Sequence, residues 1–292
     1  MSDDAAGGAI GGGTGGGLLK AACVQVNAGT ELEPNLRAAG DIVRRARDAG
    51  AAFITLPENV GWIVQGRAKT MERVRSEAEH PAIPFFADLA RETGAWILGG
   101  TLHVLLDDGR AANRSYLFDA DGRTVASYDK IHMFDVTLKD GETYRESASF
   151  RPGERAVVAS SPWGGIGMTV CYDLRFAALY RALAQAGASI LTVPAAFTVP
   201  TGRAHWHTLL RARAIETGCF VIAPAQTGSH DQGRQTYGHS LLVAPWGEVL
   251  ADAGTEVGFI TADLDLDRIA EARGMVPSLT HDRAFDVERV GF

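Results

Sequence analysis

A thiol, a carboxylate and a lysine each stand where an apolar strand pattern ends, and those three types together could support nucleophilic attack by sulfur. Cys171 closes the run Ile166-Gly167-Met168-Thr169-Val170, after which a helical pattern begins near Arg175. A side chain at such a junction is presented at the turn, with the first amides of the next helix aimed at its target. A free cysteine, of pKa about 8.5, is only a few per cent thiolate at neutral pH. A helix N-terminus and a nearby cation are expected to lower that value by about two units and make thiolate the major form. The commoner fate of a lone thiol is burial in a core, so the nucleophile needs partners. Glu58 follows Phe53-Ile54-Thr55-Leu56 within Leu56-Pro57-Glu58-Asn59, and Lys130 follows Thr124 to Tyr128 within Tyr128-Asp129-Lys130-Ile131-His132. Such strand-end positions are where α/β sites collect. A cysteine nucleophile requires a proton acceptor, charge stabilisation of its tetrahedral adduct and backbone donors for the oxyanion. Histidine is the other possible acceptor, through His132, His205, His207 or His239, but no context marks one of them as a base. His205 and His207, two residues apart, would face different sides of a helix, which argues against a metal pair.

These residues can meet only if a sheet gathers the strand ends. Leu18 to Val26 reads as a first strand, Pro34 to Asp48 as a helix, and Phe53 to Leu56 as a buried strand. Pro84 to Thr93 is helical and stops at Gly94, and Trp96 to Leu98 is extended. Ser115 to Phe118 and Thr124 to Tyr128 flank a hairpin turn at Asp121-Gly122. Alternation resumes with strands at Val157 to Ala159 and Ile166 to Val170, a helix from Arg175 to Ala186 and a strand from Ser189 to Val193. A helix at Ala204 to Glu216 and strands at Phe220 to Ala223, Leu241 to Ala244, Val249 to Ala251 and Gly258 to Ala262 complete it, before a short helix near Asp267 to Glu271. This order implies a layered α/β domain. No linker or short repeat divides it, so residues 18–292 read as one domain. Residues 1–17 hold eight of the 34 glycines and read as a disordered tail. They lack the strand-to-helix context of a phosphate loop.

Composition narrows the classes further. A hydrophobic content of 46% gives 292 residues ample core, and a net charge of -7 disfavours nucleic acid and anionic membranes as partners. No run is apolar for long enough to span a bilayer, and no secretory signal is visible. Three cysteines without a Cys-x-x-Cys pair suit a reducing cytoplasm and free thiols.

Leu56-Pro57-Glu58, Asp129-Lys130-Ile131-His132 and Val170-Cys171-Tyr172-Asp173-Leu174-Arg175-Phe176 resemble, in order and interval, the three catalytic motifs of the nitrilase superfamily of carbon–nitrogen hydrolases. The resemblance runs from Leu19 to Asp282 and includes Tyr144-Arg145-Glu146-Ser147, Gly202-Arg203-Ala204-His205-Trp206, Leu210 to Glu216, and Tyr237-Gly238-His239-Ser240 with Pro245-Trp246-Gly247. It is similar above all to the Nit branch. What it implies is a four-layer α-β-β-α sandwich that pairs as a homodimer or a higher oligomer. It further implies an amidase that converts a small linear amide to carboxylate plus ammonia through a cysteinyl thioester, with no cofactor. Cys171 would attack, Glu58 would act as base, and Lys130 with the Tyr172 amide would stabilise the oxyanion. Glu146 would hold the lysine and substrate. Arg175 could bind a substrate carboxylate or serve a structural partner such as Asp173. Arg211, Arg213 and Glu216 read as structural pairs or a subunit contact, and Phe197 and Trp206 as pocket wall or core.

Within the branch, Arg213 to Thr217 and Ala225-Gln226 followed by His230 resemble deaminated glutathione amidase more than omega-amidase, whose substrate is α-ketoglutaramate. Thr227 and Ser229 stand where a cysteine and an arginine are expected, and Asp231-Gln232-Gly233-Arg234 departs from the pattern. If that arginine normally contacts the glycine carboxylate of the tripeptide, its loss favours a smaller substrate. Hydrolysis of N-carbamoyl amino acids is a further option, true nitrilase activity a weaker one. Outside this chemistry stand a non-catalytic scaffold of the same fold and a Cys-His transferase or peptidase.

Overall fold

In the strand Leu18–Gln25, Ala21 and Cys23 turn to one side and Ala22 and Val24 to the other, and each pair enters a different core. Phe53–Thr55 and Trp96–Leu105 repeat this split, with Phe53 and Leu98 on the first side and Ile54 and Ile97 on the second. Side chains alternate along a strand, and burial on both faces explains why these strands read as continuous apolar runs. The computed structural model describes residues 17–137, 141 and 143–291. Of the expected tail, residues 1–16 lie outside the described residues, and the Gly17 carbonyl accepts a hydrogen bond from the Leu266 amide at 3.1 Å.

Two sheets share one plan. The first runs Gly258–Asp265, Leu18–Gln25, Phe53–Thr55, Trp96–Leu105, Ala111–Phe118 and Thr124–Asp129, with Arg75–Ser76 added beside Trp96–Leu105. The second runs Val249–Asp252, Leu241–Val243, Phe220–Ala223, Ala188–Thr192, Gly164–Met168 and Val157–Ser161. Each has three parallel strands at its centre, one antiparallel strand on one flank and two on the other.

The helices Leu32–Asp48 and Ala82–Thr93 cover the outer face of the first sheet, where Leu36, Ala39, Val43, Phe86 and Ala90 meet Ala22, Val24 and Ile54. Their spacing of three and four places one stripe on the sheet. Ala177–Gln185 and Val199–Thr217 cover the second sheet through Tyr180, Leu183, Trp206 and Leu210. The remaining core joins the two sheets, giving the expected four-layer α-β-β-α arrangement.

Three local features differ from the expectations. Residues Cys171–Arg175 form a 3-10 turn, and the helix begins only at Ala177. Asp173 is the cause, since its carboxylate is drawn back to the Val170 amide at 2.8 Å and the turn tightens around it. A short helix, Arg67–Arg73, is also present. So are two small hairpins, Asp135–Thr137 with Thr143–Arg145 and Thr227–Ser229 with Gln235–Tyr237. No described helix is long and apolar enough to cross a membrane.

Candidate active site

Glu58 is held by a bulge in the neighbouring strand. The pairing of Trp96–Leu105 shifts register between Leu98 and Thr101, where Gly100 takes φ +65°. A Cβ at Gly100 would lie 2.1 Å from the Pro57 carbonyl oxygen, so only glycine permits this approach. The bulge brings Thr101 under the loop, where its hydroxyl accepts a hydrogen bond from the Asn59 amide at 2.9 Å. Gln226 donates to the Glu58 carbonyl at 3.0 Å, and His103 Nε2 lies 2.7 Å from Asn59 Oδ1. The Ala196 amide donates to Glu58 Oε2 at 3.0 Å, a contact supplied by the second sheet's side of the molecule.

Lys130 leaves the end of Thr124–Asp129 and enters the same cavity. Its Nζ donates to Glu58 Oε1 at 3.0 Å and to both oxygens of Glu146, at 2.9 and 2.8 Å. Asn113 bridges the two carboxylates, donating to Glu58 Oε1 at 2.9 Å and to Glu146 Oε1 at 3.2 Å. The Phe134 amide donates to Glu146 Oε2 at 2.6 Å.

Cys171 opens its turn with φ +49°, a left-handed conformation that costs a non-glycine residue about 1–3 kcal/mol. Its own amide donates to the Pro194 carbonyl at 2.9 Å, which fixes the turn to the second sheet. Asp173, fully buried, accepts from the Val170 and His132 amides and from the Tyr128 hydroxyl at 2.8 Å, while His132 Nδ1 lies 2.7 Å away. That carboxylate ties the cysteine turn to the segment carrying Lys130.

The thiol of Cys171 shares the cavity with the Glu58 carboxylate, close enough for each to shift the other's pKa. Burial, and then the Glu58 charge, push its pKa well above the ordinary thiol value, and Lys130 offsets this only in part. The thiolate expected from the sequence is thereby corrected: at rest the sulfur keeps its proton. Burial also pushes Glu58 upward, but the Lys130 charge and hydrogen bond, together with the neighbouring Cys171 thiol, outweigh it and hold the carboxyl below its usual value. Burial works against the Lys130 charge, yet Glu146 and Glu58 lift its pKa above the ordinary lysine value. An ionised base, a protonated thiol and an ammonium therefore share one buried cluster.

The cavity around them has a volume of about 360 Å³ and is also lined by Tyr172, Arg175, Phe197 and Arg234. All six residues expected from the sequence thus meet in one place. Arg175 reaches His205 Nδ1 at 3.3 Å and lies over the rings of Tyr172 and Phe197, at 5.8 and 5.6 Å; its alternative partner Asp173 is instead taken by Tyr128, His132 and Val170. Trp206 packs behind Phe197 in the core and takes no part in the wall. Arg213 is structural, donating to the Leu174 carbonyl at 3.0 Å and pairing with Glu216 at 2.8 Å. Arg211 donates to the Gly247 carbonyl.

The four candidate histidines lie away from the thiol. His132 stacks on Phe176, His205 meets Arg175, and His207 and His239 both contact Asp252. The lining histidine is His103, whose pKa burial pushes down to about 3, so it is neutral. Sequence reasoning passed over Asn113 and His103, and met Arg234 only within a segment that departs from the family pattern, in the loop 226–236 expected to read a peptide tail. Asn113 is one polar residue in an otherwise ordinary strand, and Arg234 belongs to a loop whose course no pattern foretold.

Comparison with known proteins gives the family and the fold. Residues 20–274 match the family described as carbon-nitrogen hydrolase. A Synechocystis protein named deaminated glutathione amidase is 40% identical over 265 residues, covering 89% of this chain and 97% of its own. The crystal structure of the C. elegans NitFhit protein superposes with a TM-score of 0.86 at 35% identity, covering 92% of this chain; the chain spans 66% of that longer protein. An amidase from Nesterenkonia sp. AN1, solved with acrylamide added at its active-site cysteine, gives a TM-score of 0.75 at 27% identity over 89% of this chain and 98% of its own. On fold, motifs and relatives alike, this chain belongs to the carbon–nitrogen hydrolases of the nitrilase superfamily.

Proposed function

We propose that Cys171 is the nucleophile of an amidase in which Glu58 moves protons and Lys130 stabilises charge. One observation carries this reading: the Cys171 thiol shares a cavity with the Glu58 carboxylate, which the buried Lys130 ammonium, 3.0 Å away, keeps ionised. As the sulfur attacks the amide carbonyl, its proton passes to Glu58. The oxyanion receives the Lys130 ammonium, which has three N–H donors, and the Tyr172 amide. Collapse expels the amine, which takes the proton from Glu58, and leaves a thioester on Cys171. Glu58 then accepts a proton from water, hydroxide adds to the thioester, and the thiol is restored with release of the acid. Glu146 keeps Lys130 in place throughout, and Arg175 binds a substrate carboxylate.

Deaminated glutathione is the substrate we favour, supported by relatives of that name at 40% identity. Its γ-amide joins a 2-oxo acid to cysteinylglycine, so the leaving amine is that dipeptide. The ammonia expected from the sequence applies to a primary amide such as α-ketoglutaramate. Both substrates pass through the same acyl thioester and yield 2-oxoglutarate, so the assay follows that acid. N-carbamoyl amino acids share the mechanism and serve as a third substrate class. We place the enzyme in the cytoplasm as a homodimer or higher oligomer, a setting that suits three free cysteines.

The test is 2-oxoglutarate release from each substrate by wild type and by Cys171→Ala. Cys171→Ala is expected to lower kcat by at least about 10⁴-fold with an unchanged far-ultraviolet spectrum. Full turnover in that variant would exclude the thioester, and a kcat/KM favouring α-ketoglutaramate would make this an omega-amidase.

A further inference from the structure

Four guanidinium groups line the cavity; those of Arg67 and Arg145 donate to the Ala148 and Tyr144 carbonyls, and the other two belong to Arg175 and Arg234. Arg175 follows the nucleophile on its own turn and lies against Tyr172 and Phe197. Arg234 comes from the loop between Thr227–Ser229 and Gln235–Tyr237 and lies over the ring of Tyr144 at 5.9 Å. One of its terminal nitrogens donates to the Ala196 carbonyl at 3.3 Å. Its Nε is buried, and among the described residues it has no hydrogen-bond partner. An orphaned donor of that kind costs about 1–3 kcal/mol unless something else satisfies it. The two carboxylates that line the cavity among the described residues do not, because Glu58 and Glu146 are both drawn to Lys130 and Asn113. The loop is also fixed in place: Gln65 donates to the Asp231 carbonyl at 3.2 Å, and Lys69 pairs with the Asp231 side chain at 3.1 Å.

We infer that Arg234 is a specificity-determining residue that binds a second carboxylate of the substrate, so that the pocket selects an amide with an acid group at each end. This rests on the amidase reading above. A planar guanidinium matches a carboxylate through paired N–H donors, and Arg234 brings such a group to the cavity wall. Arg175 takes the 2-oxo acid end, and Arg234 takes the carboxylate that ends the leaving dipeptide. The arginine expected at Ser229 is therefore replaced in function five residues later, and its loss no longer argues for a smaller substrate. α-Ketoglutaramate carries one carboxylate and leaves Arg234 empty.

The experiment compares kcat/KM for deaminated glutathione and for its C-terminal glycinamide, in wild type, Arg234→Gln and Arg234→Lys. Wild type is expected to prefer the free acid. Arg234→Gln should reduce that preference by about 10- to 100-fold, mainly through KM, with Arg234→Lys in between. Turnover of the glycinamide shows that each variant is folded. An equal fall for both substrates would overturn the assignment, because Arg234 would then act only through the charge at Glu58. A wild type that does not distinguish the two would overturn it as well. A wild type that hydrolyses neither defeats the amidase reading itself.

Discussion

Between Cys171 and Glu58 there is one proton, and at neutral pH it belongs to sulfur. The pH dependence follows from the two directions. Glu58 is held below its usual value, so as pH falls it stays a base through the ordinary carboxylate range, near pH 4.3, and is lost only below it. The Cys171 thiol is raised, so its own ionisation comes only above the ordinary thiol range. We expect kcat/KM to be level from about pH 6 to 8, with no limb near the histidine value of about 6.5. A pH–rate profile with such a limb would return the base to histidine. The same shift makes ionised Glu58 stabilising at neutral pH, a contribution that disappears as pH drops from the unfolded carboxylate value through the lower folded one. Glu58, Lys130 and Cys171 were legible in the sequence because each follows a strand within a recognisable motif. The protonation state was not, because it depends on burial and on which charge stands nearest.

At the scale of elements, the loops that carry Glu58 and Cys171 depend on close backbone approaches. Gly100 is the sharpest case. Gly100→Ala would place a methyl against the Pro57 carbonyl in a conformation alanine resists. We expect a loss of about 2–4 kcal/mol, measured by urea unfolding, together with a fall in kcat because Glu58 is displaced. Unchanged stability would mean that the bulge is not what holds the loop. The sequence showed the strand through Leu98 but not the bulge after it. Leu98-Gly99-Gly100-Thr101 reads as a strand end, and only the partner loop makes it a support. The 3-10 turn after Cys171 was hidden for a related reason. Leu174-Arg175-Phe176 is compatible with a helix, and the four contacts that draw Asp173 inward come from Val170, Tyr128 and His132.

On the scale of the whole molecule, the site is a seam. Glu58 and Lys130 leave the first sheet, Cys171 and Ala196 the second, and Tyr128 joins them through Asp173. Tyr128→Phe removes that hydroxyl from a buried carboxylate and should cost about 1–3 kcal/mol, with a drop in kcat larger than any change in KM. A fall in KM-dependent binding alone would place Tyr128 outside this linkage. The alternation of elements made the layered class readable, whereas the shared plan of the two sheets has no short repeat to announce it. One pairing has a further result. The strand Gly258–Asp265 returns from the second half of the chain to lie along the whole of Leu18–Gln25. On the ribosome, the edge of Leu18–Gln25 must wait for its partner until nearly the entire domain has been synthesised, and an unpaired strand edge invites wrong associations during that interval.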